Sequence, residues 1–179
     1  QIYLEGQEIN FKNSKEALDN GVAMVHQELN QALKRSVMDN LWLGREPMKN
    51  KFMCDNKALY TEAEALFKKL NLEVDVYAKM KDLTVAKQQM VEIAKAVSHD
   101  ANIVIMDEPT SALTDAEVED LFRIIADLKA KNVAIIYISH KMDEIFRISD
   151  DITVFRDGTY VGTDRAANLN NEKLIEMMV

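Results

Sequence analysis

The hydrophobic positions divide the chain into three consecutive pieces. In the first piece, residues 1–31, the letters QIYLEGQEINF alternate as a half-exposed strand does, with Gly6 at a turn. A short polar helix is predicted over residues 14–20, and the apolar run in GVAMVHQE predicts a buried strand after it. This piece therefore begins as β structure and ends in a polar segment at Gln27.

The second piece, residues 32–100, has a helical pattern. Three stretches predict helices: SVMDNLWLG, NKALYTEAEALFKKLNL and VAKQQMVEIAKAVSH. In the middle stretch, residues spaced three and four apart define one apolar face, made of Leu59, Ala63, Leu66, Phe67 and Leu70. The pattern predicts a helical lobe inserted between two β-containing pieces.

The third piece, residues 101–179, returns to strands. Residues 103–106 form an apolar run typical of a strand covered on both faces, and VAIIYIS, residues 133–139, predicts a second buried strand. Between them Thr114 and Glu117 form a capping box, which opens a helix with the predicted core face Val118, Leu121, Phe122, Ile125 and Leu128. The order predicts a βαβ unit in a parallel sheet, completed by the strand DITVFRDG and the helix NEKLIEMMV.

Composition and charge restrict the partners. The hydrophobic fraction of 47% and the charged fraction of 29% fit a globular chain with one domain, or one domain with an inserted lobe. The formal net charge of −8 argues against a nucleic-acid partner. Cys54 is the single cysteine, which favours a reducing compartment. No apolar run approaches the roughly 20 residues of a membrane helix, so we expect any work at a membrane to occur from the aqueous side.

Polar side chains directly follow three of the predicted strands. Gln27 comes after GVAMVH, Asp107 and Glu108 after IVIM, and His140 after IIYIS. Ligands collect at the carboxyl ends of parallel strands, and Mg²⁺ bound with phosphates takes one or two protein oxygens, which suits Asp107 and the amide of Gln27. Glu108 would then polarise a water against a terminal phosphate, and His140 would hold the γ-phosphate or orient that water.

Each of these residues also has an interpretation without chemistry. Acidic residues often end a strand because the chain emerges into solvent there. Taken alone, His140 would be interpreted as a surface or capping residue, and Gln27 would give almost no evidence of a site. Only the acidic strand end beside them supports a functional role for both. We interpret His26 and His99 as structural, with His99 near a helix end that mildly favours a cation.

Four motifs carry a resemblance to a known family. HQELN, LTVAKQQMVEIAKAV, IVIMDEPTSALT and YISHKMDEI resemble, in this order and spacing, the Q-loop, the signature helix, the Walker B motif with its D-loop, and the H-loop of ABC transporter ATPases. The signature, with Val85 and Ala86 in place of paired glycines, resembles the first nucleotide-binding half of the tandem ATPases of monosaccharide importers. The stretch RSVMDNLWLGREP is similar to the galactose and methylgalactoside importers among them.

The resemblance implies a partial P-loop NTPase (ABC ATPase) fold. This is an α/β core with a parallel sheet, an N-terminal antiparallel β segment and an inserted helical subdomain. Residues 1–31 would end in the Q-loop, residues 32–100 would form the helical subdomain with the signature helix, and residues 101–179 would carry Walker B, the D-loop and the H-loop.

The resemblance also implies roles for individual residues. By this resemblance, Glu108, His140 and Gln27 would be catalytic, and Asp107 and Gln27 would bind Mg²⁺. The residues that would contact a nucleotide across a paired interface are Thr84, Val85, Ala86, Lys87 and Ser111. Thr84 still offers a hydroxyl and a helix cap, whereas Val85 and Ala86 add side chains where glycines would let phosphate approach closely. Lys87 adds a cation in place of the usual glutamine.

Cofactors and partners follow from the same resemblance. The complete protein would use ATP and Mg²⁺ on the cytoplasmic side of the bacterial inner membrane. It would bind membrane permease subunits through the helical subdomain, pair with a second ATPase half or another ABC subunit, and serve a periplasmic sugar-binding protein indirectly. We interpret Trp42 as core in the helical lobe, with permease contact as the minority alternative.

The phosphate-binding pattern Gly-x-x-x-x-Gly-Lys-Ser/Thr occurs nowhere in the 179 residues. We therefore expect a truncated first half, inactive by itself, whose phosphate loop precedes Gln1. The absent strand would lie between the strand ending at Ser139 and the strand holding residues 152–155. We expect local repacking there, or a dimer in which a neighbour's strand fills the gap.

Two other classes share parts of the pattern. DNA-repair and chromosome ATPases place a long coiled coil between Q-loop and signature, and the 55 residues between Gln27 and Leu83 exclude them. The alternative of a non-catalytic regulatory half, whose partner half hydrolyses ATP, stays open. The presence of both Glu108 and His140 favours catalysis.

Overall fold

The computed structural model describes residues 1–27, 30–50 and 53–179. Glu28 and Leu29 of the HQELN motif lie outside the described residues. The described chain divides into two compact units, residues 1–136 and residues 137–179, and each unit is considered by itself. Among the described residues, no helix is both long enough and apolar enough to cross a membrane.

The first unit opens with an antiparallel hairpin. Strand β1 (Ile2–Leu4) pairs with β2 (Gln7–Ile9), and Glu5 and Gly6 both take left-handed backbone conformations in the turn between them. Helix α1 (Ser14–Asp19) follows, and the side chain of its N-cap residue accepts a backbone hydrogen bond from the first turn. The predicted turn at Gly6 and the predicted short helix are confirmed.

The helical lobe contains the three predicted helices. They are α2 (Val37–Leu41), α3 (Asn56–Lys69) and α4 (Val85–Val97), and α2 packs against both of the others. Four of the five predicted core positions of α3 and its C-cap are buried, namely Leu59, Ala63, Phe67 and Leu70. A small antiparallel pair, β4 (Met48–Asn50) with β5 (Met53–Cys54), was not predicted, because strands of three and two exposed residues show no burial period.

Asn40 fixes the start of this lobe. Its side chain is 2% exposed. Its Oδ1 accepts from the N–H of Ala32 at 2.8 Å, and its Nδ2 donates to the carbonyls of Ala32 at 3.2 Å and Ser36 at 2.8 Å. Backbone hydrogen bonds then join residues 33–38 to residues 76–81. Residues 32–40 are therefore tied to the segment that leads into α4.

The sheet of the first unit has the strand order β3, β6, β7. Strand β3 (Val22–Val25) runs parallel to β6 (Ile103–Asp107), with Val22 opposite Ile103 and Val25 opposite Met106. Helix α5 (Asp115–Ala130) links β6 to β7 (Ala134–Ile138) as the predicted strand, helix and strand. Its buried side chains include four of the five predicted core positions, and the set is Leu121, Phe122, Ile124, Ile125 and Leu128.

The predicted burial of these strands is only half right. Alternate residues of β3 and β6 are buried, whereas Met24 between them is 40% exposed. The prediction that residues 133–139 form a buried strand is wrong, since Ile136 is 50% and Ile138 is 47% exposed. The exposed residues alternate along β7, so one face of this strand is not covered by the described residues.

The second unit is a hairpin packed on helices. Its elements are α6 (Met142–Ile148), β8 (Asp151–Arg156), β9 (Thr159–Arg165) and α7 (Asn171–Met178). Strands β8 and β9 form an antiparallel sheet of their own. The core consists of Ile152, Val154 and Leu174, against which side chains of α6 and α7 pack. The predicted strand DITVFRDG and the predicted closing helix are confirmed, and β9 is an addition.

Arg45 joins the ends of two helices in the lobe. Its guanidinium donates to the carbonyl of Ser98 at 2.9 Å and to the carbonyl of Leu41 at 3.0 Å. The guanidinium carbon lies 4.3 Å from the centre of the Trp42 ring, a cation–π contact. Trp42 is therefore half-buried beneath a cation rather than fully in the core.

The end of α4 does not favour a histidine cation, contrary to the expectation for His99. Burial of the imidazole, with the nearby cations Arg45 and Lys95, lowers the pKa of His99 to about 4. The folded state thus binds fewer protons than the unfolded state between pH 6.5 and about 4. Stability from the neutral imidazole is complete above pH 6.5 and is lost as the pH falls towards about 4.

We predict that His99→Gln flattens the pH dependence of unfolding in this window. The free energy of unfolding of the wild type should fall more steeply between pH 6.5 and about 4 than that of the variant, because only the wild type gains a proton at this site on unfolding. Urea unfolding at several pH values measures this. His26→Gln, which removes an exposed imidazole, is the matched control. Equal slopes for wild type and His99→Gln would contradict the prediction.

Candidate functional site

Three of the predicted residues lie at or just beyond the carboxyl ends of two paired strands. Because Val25 lies opposite Met106 in the parallel pair, β3 and β6 end at the same edge. Asp107 is the last residue of β6 and is half-buried, and Gln27 is exposed two residues beyond the end of β3. Glu108 follows Asp107 directly and is also half-buried. The pairing therefore presents two carboxylates and an amide at one strand edge.

Glu108 has a strained backbone. Its φ of 47° lies in the left-handed region, which costs an L-residue other than glycine about 1–2 kcal/mol. The carbonyl of Glu108 accepts from the N–H of Ser111 at 3.2 Å, which closes a turn immediately after the strand. Non-glycine residues held this way are frequent at functional sites, because the strained conformation aims a side chain that a regular strand would not.

The turn leads into the D-loop segment and then into α5. Thr110 is buried within the turn, and Ser111 is exposed. The predicted capping box is present: the Glu117 carboxylate accepts from the Thr114 N–H at 2.9 Å and from its hydroxyl at 2.8 Å. Ser111 is therefore held between two fixed points, the strained turn and the start of the helix.

The signature residues lie at the N-terminus of α4, a different element from the strand edge. Thr84 is the N-cap, and its hydroxyl accepts from the Lys87 N–H at 3.3 Å. Thr84, Val85 and Lys87 are exposed and Ala86 is half-buried. Free N–H groups at this end and the helix dipole favour an anion. The cap predicted for Thr84 is confirmed.

Two glutamines that the sequence did not single out hold this helix end. The side-chain Nε2 of Gln88 donates to the carbonyls of Met80 at 2.9 Å and Leu83 at 3.2 Å. The carbonyl of Gln88 in turn accepts from the side chain of Gln31 at 2.8 Å. The tie connects the segment after Gln27 to the turn before Thr84. The helical spacing of the sequence could not reveal these contacts. Glutamine favours a helix whatever its side chain contacts, so its presence does not indicate a tie.

His140 belongs to the second unit and is described there alone. It is exposed and follows β7, within a turn in which the Ser139 hydroxyl accepts from the Lys141 N–H at 3.1 Å. The strand end predicted for His140 is confirmed. Its role beside Asp107 and Glu108 stays a prediction.

The donor set at the strand edge fits Mg²⁺ held mostly by phosphate. The described residues contain no group of three or more His, Cys, Asp or Glu side chains that could hold a metal ion. A self-sufficient protein cage is therefore absent from that part of the chain. One carboxylate and one amide oxygen match the one or two protein ligands that Mg²⁺ takes when phosphates and water supply the rest.

Comparison with known proteins places these features in context. The profile of the family described as ABC transporter matches residues 1–111. The galactose/methyl galactoside import ATP-binding protein MglA of Fusobacterium nucleatum is 55% identical over all 179 residues, which are 36% of that protein. The protein of the same name from Escherichia coli K12 is 53% identical over 178 residues, which are 35% of its length. The chain thus spans about a third of the curated relatives it matches.

Solved structures give the same fold. A nucleotide-free ATP-binding cassette from an ABC transporter aligns with a TM-score of 0.77 at 21% identity, covering 98% of this chain and 71% of that one. A dimeric post-hydrolysis cassette bound to ADP and phosphate aligns with a TM-score of 0.77 at 18% identity, covering 92% and 72%. At these identities the likeness concerns the fold, and it confirms the predicted α/β cassette architecture.

We predict that Glu108→Gly is more stable than Glu108→Ala by about 1 kcal/mol, because glycine takes the left-handed conformation without a Cβ penalty. Both variants lack the carboxylate, so its loss cancels in the comparison. Denaturant unfolding measures the difference. The same pair at Asp107, which lies in an extended strand, is the control and should show alanine as the more stable variant. Equal stability of the Ala and Gly variants at position 108 would contradict the inference that the backbone of Glu108 is strained.

Proposed function

The chain belongs to the ABC transporter family, and from this premise we propose that it is part of the ATP-hydrolysing subunit of an ABC sugar importer. The complete protein would couple MgATP hydrolysis to the import of galactose and methyl galactoside. The observation that carries this proposal is the identity of 53–55% along the whole chain to proteins named for that import. The four motifs of the sequence support it independently.

Asp107 and Gln27 would hold Mg²⁺ together with the nucleotide. The parallel register brings both to one edge, and the half-buried carboxylate of Asp107 offers a charged oxygen there. When bound, Mg²⁺ neutralises charge that develops on the phosphate oxygens. Gln27 would also orient the attacking water through its amide.

Glu108 would act as the general base. The left-handed turn after β6 separates its side chain from the regular alternation of the strand. From that position the carboxylate would accept a proton from the water that attacks the terminal phosphate. His140 would hold the γ-phosphate or orient the same water, and the exposure of its side chain supports such a role.

The signature residues would act on a second nucleotide site, across the interface with a second ATPase half or another ABC subunit. Thr84 would offer its hydroxyl, and Val85 and Ala86 their N–H groups, to a phosphate, while Lys87 would add a cation. Ser111 would contact the partner half from the D-loop. The exposure of Thr84, Val85 and Lys87 supports a role at a surface that a partner covers.

The predicted regions would divide these tasks. Residues 1–31 and 101–179 would form the nucleotide-binding core, and residues 32–100 would receive the permease subunits. A periplasmic sugar-binding protein would act through the permease. Such an assembly places the chain on the cytoplasmic face of the bacterial inner membrane, and the net charge of −8 supports the absence of a nucleic-acid partner.

The phosphate loop is the part that these 179 residues do not supply, because no Gly-Lys pair occurs among them. We therefore propose that the chain alone neither binds MgATP tightly nor hydrolyses it. A form extended at its N-terminus by a phosphate-binding loop would do both.

The prediction is tested by calorimetric titration with MgATP and by phosphate release, on the chain and on the extended form. Binding and turnover should occur only in the extended form. Glu108→Gln should lower turnover at least about 100-fold and leave binding intact, because it removes only the proton acceptor. Asp127→Asn, an exposed carboxylate of α5, is the control and should change neither.

Two results would overturn parts of this account. Tight MgATP binding by the 179-residue chain would mean that residues other than a phosphate loop hold the phosphates. Full turnover in Glu108→Gln would remove the general base. An extended form that binds MgATP without turnover of its own, but supports hydrolysis by a competent half paired with it, would instead support the regulatory alternative.

A further inference from the structure

His140 lies in a short turn of the second unit. The imidazole is exposed, and the turn between β7 and α6 consists of residues 139–141. Residues with a catalytic task need supporting contacts, because a displacement of about 1 Å can cost about 100-fold in rate. The contacts of the residues on either side of His140 show how this turn is held.

Glu144 supplies contacts on both sides. It lies in α6 and is 8% exposed. Its Oε2 accepts a hydrogen bond of 2.7 Å from the hydroxyl of Tyr137, and its Oε1 lies 3.1 Å from Nζ of Lys141. Tyr137 is in β7, three residues before His140, and Lys141 is one residue after it. A single carboxylate thus connects the strand before the histidine to the residue after it.

The burial of this carboxylate gives the arrangement its strength. A buried charge is costly unless it is paired and hydrogen-bonded, so the contacts with Tyr137 and Lys141 offset the cost of burying this carboxylate. Bonds to an ionised acceptor are shorter and stronger than neutral ones. The Ser139 hydroxyl adds a third restraint by accepting from the Lys141 N–H.

We propose that Glu144, with Tyr137 as its partner, is a positioning residue for His140. It does not contact the nucleotide; it fixes the turn, so that the imidazole is presented in one orientation. This inference rests on the proposed role of His140 in ATP hydrolysis, and its test is arranged so that the two can fail separately.

The kinetic test uses the extended form that hydrolyses ATP. Glu144→Ala and Tyr137→Phe should each lower kcat about 10-fold or more with KM nearly unchanged, because nucleotide binding does not depend on the turn. Glu144→Gln, which keeps an acceptor for the Tyr137 hydroxyl, should recover part of the rate. Asp143→Asn, which removes the adjacent exposed carboxylate of the same helix, is the matched control and should behave as wild type.

A double-mutant cycle separates positioning from general stability. In a His140→Ala background, Tyr137→Phe and Glu144→Ala should cause no further loss of kcat, since their effect passes through the missing imidazole. A further loss equal to that in the wild-type background would overturn the proposal. Should Glu144→Ala fail to fold, Tyr137→Phe alone carries the cycle, because it removes one hydroxyl and keeps the ring.

A second readout needs no activity. In the 179-residue chain, NMR should show the amides of residues 139–141 exchanging faster in Tyr137→Phe than in the wild type, with a changed His140 ring signal. Unchanged exchange and an unchanged ring signal would overturn the inference while leaving the ATPase proposal intact. If His140→Ala itself hydrolyses ATP at the wild-type rate, the proposed role of His140 fails instead.

Discussion

The parallel pairing of β3 with β6 is the constraint on which the candidate site depends. Its register sets Val25 opposite Met106, which places the two buried faces on the same side and the two strand ends at one edge. A slip of one residue would turn the buried face outward, so the register is strongly determined by burial. The strand ends next to Asp107 and Gln27 lie at one edge for this reason, although 79 residues and a helical lobe lie between the two residues in the chain.

Hydrogen bonds, as well as apolar packing, join the start of the helical lobe to its signature helix. Asn40 holds the segment that follows Gln27, and backbone bonds join that segment to the approach to α4. The contact between Gln31 and Gln88 then reaches the turn before Thr84. Polar ties of this kind are directional, and they restrict orientation where apolar contacts would allow sliding. The start of the lobe and the signature helix are thus linked within one unit.

Much of the fold was predictable from particular residues. The face Leu59, Ala63 and Phe67 and the box Thr114 with Glu117 identify their helices because helical spacing and capping are local properties. The exposure of β7 was not predictable, since an apolar run is the same whether or not a neighbour covers it. Contacts made by Gln88 and Glu144 depend on tertiary geometry, and the low pKa of His99 depends on burial and on a cation 54 residues away. The candidate residues were identified by motif, and their chemistry stays a prediction.

The measurement that tests the account most directly is the register of β3 against β6 in solution. NMR contacts between backbone protons across the two strands would report it in the 179-residue chain without any ligand. We expect contacts that pair Ala23 with Val104 and Val25 with Met106, with slow amide exchange in both strands. A register shifted by one residue, or the absence of cross-strand contacts, would separate Gln27 from Asp107 and contradict the site.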